Sequence, residues 1–193
     1  TIAVTSDKAI INIDSFNIAE NETVFFNGPT SELLARVTGG QYSQLDGSLY
    51  SNLLMLAFIN PDGIHIGNTG NIDAAGIVLS TRDITNSNFL NGKYLFEKNI
   101  NEKLDRLLLN EGRIHIREGG FGALIAGGIE NRGVIIARAS TVVLASGDAI
   151  KMDISSDGFI SVGIDKETAS SIYDYEGNSV IDQITNSGSI NAD

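Results

Sequence analysis

The chain has 193 residues, with 13 Lys plus Arg against 24 Asp plus Glu and a formal net charge of −11; that length sets the expectation of one domain with a substantial core, and acidity without a basic stripe argues against a nucleic-acid binder. Hydrophobic residues at 42% exclude wholesale disorder, and the lack of Cys removes disulfides, thiol catalysis and cysteine metal sites together. The longest apolar run, Leu53 to Ile59, is seven residues, far short of the roughly 20 that a membrane-spanning helix needs. What the chain does have is 21 Gly, 18 Asn and 26 Ile with only 2 Pro. No charged-then-apolar leader opens it, so any targeting segment is expected to be already gone.

A short pattern, Asn–x–Gly–x–Ile, recurs along the chain. In order, a loose form at Gly47 and Leu49 is followed by NTGNI (Asn68 to Ile72), a loose form at Gly92 and Tyr94, NEGRI (Asn110 to Ile114) and NRGVI (Asn131 to Ile135). A loose form at Gly158 and Ile160 and a final NSGSI (Asn186 to Ile190) complete the series. The glycines fall at 47, 70, 92, 112, 133, 158 and 188, with steps of 23, 22, 20, 21, 25 and 30 residues. Several units hold a second apolar stretch: IVLST (Ile77 to Thr81), ALIAG (Ala123 to Gly127) and VVLASG (Val142 to Gly147). Alternation at Ile64–His65–Ile66 and Ile114–His115–Ile116, the latter with Arg113 and Arg117 outside, reads as strand. Each unit is therefore a turn followed by short strands, Gly supplying positive φ and Asn tolerating it.

A unit of this size cannot bury its apolar face alone and must stack on its neighbours. Ile, Val and Gly in place of regularly spaced Leu favour a parallel β-helix over a leucine-rich horseshoe. Equivalent residues then lie about 4.8 Å apart along the axis, so Asn68, Asn110, Asn131 and Asn186 are expected in equivalent turns as amide ladders. One segment departs from the pattern. Ile100, Leu104, Leu107 and Leu108 sit at helical spacing, which predicts a short helical excursion over 100–109 with Glu102 and Arg106 paired on its outer side, the alternative being a loop that leads into the strand before Asn110.

Enzymatic chemistry finds little support in these residues. Glycoside hydrolysis needs two carboxylates about 5 to 10 Å apart across a groove, and pairs such as Asp153/Asp157 or Asp174/Glu176 are expected by chance among 24 acids. There is no Trp and there are only 5 Tyr to build a sugar platform. The two histidines, His65 and His115, read as solvated residues on equivalent strands two coils apart, about 10 Å, too far to share one zinc. The GGFGAL run (Gly119 to Leu124) opens like a calcium-binding nonapeptide but has Leu124 where the ligand Asp belongs. No phosphate loop or nucleophile elbow is present. No catalytic residue, metal or cofactor is assigned.

Residues 16–96 closely resemble the secretion domain of two-partner-secretion exoproteins, the filamentous-haemagglutinin family. Five blocks carry the likeness in the family's order: FNI with ETVFF (Phe16 to Phe26), RVTGG (Arg36 to Gly40), SQLDGSL (Ser43 to Leu49), FINPDGIHIG (Phe58 to Gly67) and STRDITNSNFLNGKYLF (Ser80 to Phe96). Beyond residue 110 the repeats look like the family's continuing coils. The resemblance implies an all-β, right-handed, single-stranded parallel β-helix with an N-terminal cap and small extra-helical strands. It implies one domain over 1–193, with cap strands in about 1–35 and coils in about 36–193, at the front of a longer exoprotein. The implied partner is a cognate outer-membrane transporter of the Omp85 type, whose periplasmic domains recognise the chain and direct it through the periplasm to the cell surface. An adhesin, haemagglutinin or cytolysin passenger would follow, with the host surface as its target.

The family's NPNG-type hallmark is matched by Asn60, Pro61, Asp62, Gly63 and Ile64, with Asp62 in place of the usual second Asn. An Asn–x–Asn–Leu motif is half matched by Ser51, Asn52 and Leu53, and Ile13 stands where relatives often carry Trp. The expected partner-binding residues are thus Asn60, Pro61, Asp62, Gly63, Ile64 and Asn52. The same five-residue motif also reads as a turn, Pro setting φ and Asn60 bonding nearby backbone. Arg36 is expected to pair on the outside, with Gly39 and Gly40 making a bend. The rival function is a surface adhesin module that binds host glycan or protein itself, and a β-helical polysaccharide lyase or hydrolase is a further alternative.

Overall fold

A computed structural model describes residues 1–99, 105–155 and 160–192. The strands of its coils run in parallel, each pairing with a strand one coil away, and they build three faces of a β-helix. Face one stacks Ile2–Ala3, Thr23–Asn27, Ser48–Ser51, the first half of Asn71–Ser80, the first half of Arg113–Ala126, Val134–Ala137 and Ser189–Asn191. Face two stacks Lys8–Ile13, Glu32–Val37, Met55–Ile59, the second halves of those two long strands, and Thr141–Ser146. Face three stacks Ser43–Leu45, Ile64–Ile66, Asp105–Asn110, Gly128–Asn131 and Ile184–Asn186. Parallel stacking already begins with the strands at Ile2 and Lys8, inside the stretch expected to hold cap strands.

The repeat places like residues in columns. On face one, Val24, Leu49, Ile72, Ile114, Ile135 and Ile190 lie in register, the apolar position of Asn–x–Gly–x–Ile. On face two the inward column is Ile11, Ala35, Phe58, Leu79, Leu124 and Leu144, with the small Ala35 beside the large Phe58. Each fully buried Ile or Leu contributes about 1.5–3 kcal/mol by leaving water.

The glycines act differently from the expectation. Positive φ occurs at Gly40, Gly63, Gly92, Gly119 and Gly177, and at none of the coil glycines. A Cβ on Gly70 would lie 2.2 Å from the Leu45 carbonyl oxygen, on Gly112 2.3 Å from that of Gly70, and on Gly133 and Gly188 2.1 Å from those of Gly112 and Gly133. Glycine is required here by the close approach of one coil's backbone to the next. Two glycines of the evenly spaced series are not among those described in this stack. Gly92 ends the helix Asn86–Leu90, and Gly158 lies outside the described residues. The stacked glycines 47, 70, 112, 133 and 188 are spaced unevenly because two long excursions leave the helix between face two and face three.

The first excursion, 81–99 in its described part, carries Asn86–Leu90, capped by Thr85 whose side chain accepts from the Asn88 amide, and the strand Tyr94–Glu97. The second, in its described part, occupies 147–155 and 160–183. Its strands Ala149–Ile154 and Ile160–Lys166 join Tyr94–Glu97 in an antiparallel sheet, and a small hairpin pairs Ile172–Tyr173 with Ser179–Val180. These excursions roof face two. Leu34, Met55, Ala57, Ile59, Val78, Ala123 and Ile125 point outward yet are buried beneath Ile84, Phe89, Phe96, Ile150, Met152 and Ile160. A strand buried on both sides reads as a continuous apolar run, which accounts for Leu53 to Ile59.

The same cause corrects the helical expectation for 105–109, the described part of 100–109. Asp105–Asn110 is a strand, with Leu108 inside the coil and Leu107 and Leu109 buried on its outer side. Ile100, Glu102 and Leu104 lie outside the described residues. Two-sided burial produced a leucine run that helical spacing also fits. Gly133→Ala should destabilise the fold by about 1–3 kcal/mol through overpacking, while Gly163→Ala, with no atom within 4 Å of its Cβ, should be neutral. Urea unfolding of the two variants checks this.

Candidate functional site

The Asn60–Ile64 motif is the corner between faces two and three. The Asn60 side chain is fully buried and donates through Nδ2 to the Gln41 carbonyl at 2.9 Å and to Ser43 Oγ at 3.0 Å. Its Oδ1 accepts from the Asp62 amide at 3.0 Å, and its carbonyl accepts from the Gly63 amide at 3.1 Å. Gly63 has φ +116, a conformation that L side chains rarely adopt. Ile64 is in the core. Pro61 and Asp62 alone of the five are half exposed. Asn52 lies on a separate corner, accepting from the Gly28 amide at 2.8 Å and donating to Asn27 Oδ1 at 2.8 Å. The structure therefore brings five of the six candidates together and sets Asn52 apart.

A hairpin from far along the chain lies over this corner. Ile172 and Tyr173 pair in parallel with Asp105 and Arg106. The Tyr175 ring sits between Tyr42, 4.6 Å between centroids, and His65, stacked at 5.3 Å. Its hydroxyl lies 2.6 Å from both the Ile64 and Leu107 carbonyl oxygens, and burial pushes its pKa up. Two hollows flank the Tyr42–Tyr175 pair. One, about 240 Å³, is bounded by Asp62 and Arg106. The other, about 590 Å³, runs past His65, Glu111 and Arg132. Asp174 caps the hairpin turn, accepting from the Glu176 and Asn178 amides. That is a turn's geometry, and it explains the Asp174/Glu176 spacing.

The histidines do not stand on equivalent strands. His65 is on face three, in register with Gln44 and Leu109, while His115 is on face one beside Asp73 and Ile136. Both are half-buried and bonded to carboxylates rather than solvated, His65 Nε2 to Glu111 at 2.9 Å and His115 Nδ1 to Asp73 at 3.0 Å. The hydrogen bond with His65, helped by that with Arg132 and opposed by burial, holds Glu111 below its ordinary pKa of 4.5. For Asp73, burial acts upward but is outweighed by hydrogen bonds with His115 and Arg117, so its pKa also falls. Among the described residues no group of three or more His, Asp or Glu is placed to hold a metal ion.

The asparagine ladder forms in part. Asn110 Nδ2 donates to Asn131 Oδ1 and Asn131 Nδ2 to Asn186 Oδ1, both at 2.7 Å. Asn68 is excluded because register sets Ile66 above Asn110, leaving Asn68 in a longer, exposed turn. For the same reason Asn110 Oδ1, buried, has no hydrogen-bond partner among the described residues.

Sequence reasoning missed the ion cluster where both excursions leave the helix. Arg82, the largest fully buried side chain, pairs with Asp105 through Nη1 at 2.6 Å and Nη2 at 2.9 Å. Its Nε donates to the Gly147 carbonyl at 2.6 Å, Asp148 lies 3.4 Å away, and Lys98 reaches Asp105 at 3.1 Å. Arg36, as expected, faces outward and pairs with Asp83 at 2.7 Å, tying down the first excursion together with the Ile84 carbonyl; Gly40 has φ +76.

The fold and this corner define a class: a parallel β-helix whose faces are sheltered by excursions of its own chain. The family described as the TPS secretion domain matches residues 1–192, and the chain belongs to that family, the secretion domains of two-partner-secretion exoproteins. The crystal structure of the HMW1 secretion domain from Haemophilus influenzae superposes with a TM-score of 0.75 at 31% identity, covering 100% of this chain and 54% of that one. A heme/hemopexin-binding protein from Haemophilus influenzae is 32% identical over 185 residues, 92% of this chain and 20% of the relative. Another of the same description is 36% identical over 115 residues, 58% of this chain and 12% of the relative. The chain thus spans a fifth or less of the length of these relatives. Exoproteins of this family are secreted, and no helix among the described residues is long and apolar enough to cross a membrane.

Arg82→Ala would leave Asp105 buried without its two-point partner and should cost about 3–5 kcal/mol in urea unfolding. For Glu111, a depressed folded pKa means stability that is present above pH 4.5 and lost as pH falls through the lower folded value. His65→Ala should move the Glu111 titration, followed by carboxylate NMR, back up toward 4.5 and flatten that acid limb.

Proposed function

We propose that the chain is the N-terminal secretion domain of a longer exoprotein, that a cognate outer-membrane transporter of the Omp85 type recognises it through periplasmic domains, and that it then nucleates folding of the coils that follow. The observation that carries this is the family match over residues 1–192 joined to a helix of parallel coils. In the stack, Ile184–Asn186 and Ser189–Asn191 are paired on one side only among the described residues, and Ile184 and Ile190 remain exposed. Such an edge is a template. A following coil gains backbone hydrogen bonds and buries apolar columns on it, so pairing favours forward movement without a nucleotide.

An unfolded or partly folded chain presents strand edges and the Asn60–Ile64 segment to the transporter, and recognition works by strand addition, main-chain bonds giving affinity and side-chain pockets giving choice. In the folded domain Pro61 and Asp62 are the accessible members of the corner, while Asn60, Gly63 and Ile64 shape it. The passage runs through the periplasm to the cell surface, and no step breaks a covalent bond.

Co-expression with the cognate transporter should place the chain outside the cell, and omission of the transporter should retain it. Pro61→Ala with Asp62→Ala spares the buried bonds of Asn60 and should lower export about tenfold, equivalent to 1.4 kcal/mol of binding. Export that continues unchanged after deletion of Asn60 to Ile64 would show that the corner has no part in recognition.

A further inference from the structure

The larger hollow beside Tyr175 is a groove with a floor and two walls. Its floor is an outward column of face three, where Gln44, His65, Leu109 and Glu130 stand in register on successive strands, about 4.8 Å apart. Glu111 and Arg132 form one wall, from the corner that leads into face one. The 172–180 hairpin forms the other, with Asp174, Tyr175 and Glu176. The volume of about 590 Å³ falls within the roughly 300–1,000 Å³ of small-molecule sites.

The polar side chains of this groove hold one another in place. His65 Nε2 bonds Glu111 at 2.9 Å, and Arg132 Nη1 donates to the other oxygen of Glu111 at 3.1 Å. Arg132 Nε and Nη2 donate to Glu130 at 2.8 and 3.1 Å, and Gln44 donates to Asp46 at 2.8 Å. A carboxylate offers about four acceptor positions and a guanidinium five donors. Glu111 and Glu130 therefore keep acceptors, and Arg132 keeps donors, for a further molecule. Two of the chain's 5 Tyr also meet here. Tyr42, 41% exposed and 4.6 Å from Tyr175 between ring centroids, adds an aromatic surface to the lining.

This lining selects among ligands. Glu111, Glu130, Asp174 and Glu176 outnumber Arg132, which is already shared between two of them, so phosphate, sulfate and uronate groups are repelled. An apolar ligand would cover Gln44, His65 and Glu130 without replacing their bonds to water, which is costly. A sugar ring carries hydroxyls that both donate and accept at its rim, and C–H groups on its faces. We propose that the face-three groove between Arg132 and Tyr42 binds a neutral or amino-bearing saccharide. Its hydroxyls donate to Glu111 and Glu130 and accept from Arg132, and a ring face lies on Tyr42. The groove is assembled only on folding, since Tyr175 and Ile64 meet across 111 residues. It therefore serves the folded, secreted protein and is independent of the transporter reading.

Isotope-labelled protein is titrated with cellobiose, lactose, diacetylchitobiose and the glucosamine disaccharide, with a sulfated heparin disaccharide as anionic control. Amide NMR follows each titration. At least one neutral or amino disaccharide should give saturable shifts centred on 42–44, 65, 109–111, 130–132 and 174–176, and the heparin disaccharide none. The Arg132 side chain is 51% exposed, so its removal leaves the core intact, which circular dichroism checks. Arg132→Ala should weaken binding of that sugar at least about tenfold, and Tyr42→Ala about fivefold. Lys151→Ala, on the roof of face two, should bind as wild type does. Absence of shifts with all four sugars, shifts centred elsewhere, undiminished binding by Arg132→Ala, or preference for the sulfated disaccharide each overturns the site. None of these outcomes bears on export.

Discussion

Each coil stands one strand spacing above the next, and at one corner the backbones approach so closely that no side chain fits between them. Gly70, Gly112, Gly133 and Gly188 follow one another down that corner, each under the carbonyl of a residue in the coil above. The backbone bonds from Arg113 to Gly70, Val134 to Gly112 and Ser189 to Gly133, all 2.9 Å, run through the same column. Everything else in the structure keeps the register that this corner sets. The Ile column on face one and the mixed column on face two fill the interior only if successive coils do not slip, since a slip of one residue would turn each inward side chain outward.

The excursions solve a second problem. A narrow coil has little interior, so much of its apolar surface must be buried from outside. Face two is roofed by the short helix and the antiparallel sheet, face three by the small hairpin. Arg82 sits where the two excursions depart, paired with Asp105 and close to Asp148. A buried guanidinium is tolerated because it is satisfied on several sides. It ties residues 82, 105 and 147–148 into one knot, so the coil and its roofs close together.

The corner at Asn60 illustrates how one short motif ties two coils together. Asn60 reaches back to the preceding coil at Gln41 and Ser43, and Gly63 makes room for Tyr175. Most of the motif is therefore committed to the fold. Pro61 and Asp62 alone of the five keep part of their surface accessible.

The Asn, Gly and Ile repeat by itself determined that coils stack, because backbone spacing and side-chain burial act at every turn and leave their period in the chain. It determined the Ile column, the lower Asn ladder, the outward Arg36 and the turn at Asn60 for the same local reason. Leu107 and Leu108 were ambiguous, since two-sided burial erases the alternation that distinguishes a strand. Gly92 joined the series by coincidence of spacing, although it closes a helix on an excursion. Arg82 with Asp105 and Asp148, and Tyr175 over Ile64 across 111 residues, could not be read in advance. Those contacts join segments with no shared period, and only the path of the excursions across faces two and three decides which side chains meet.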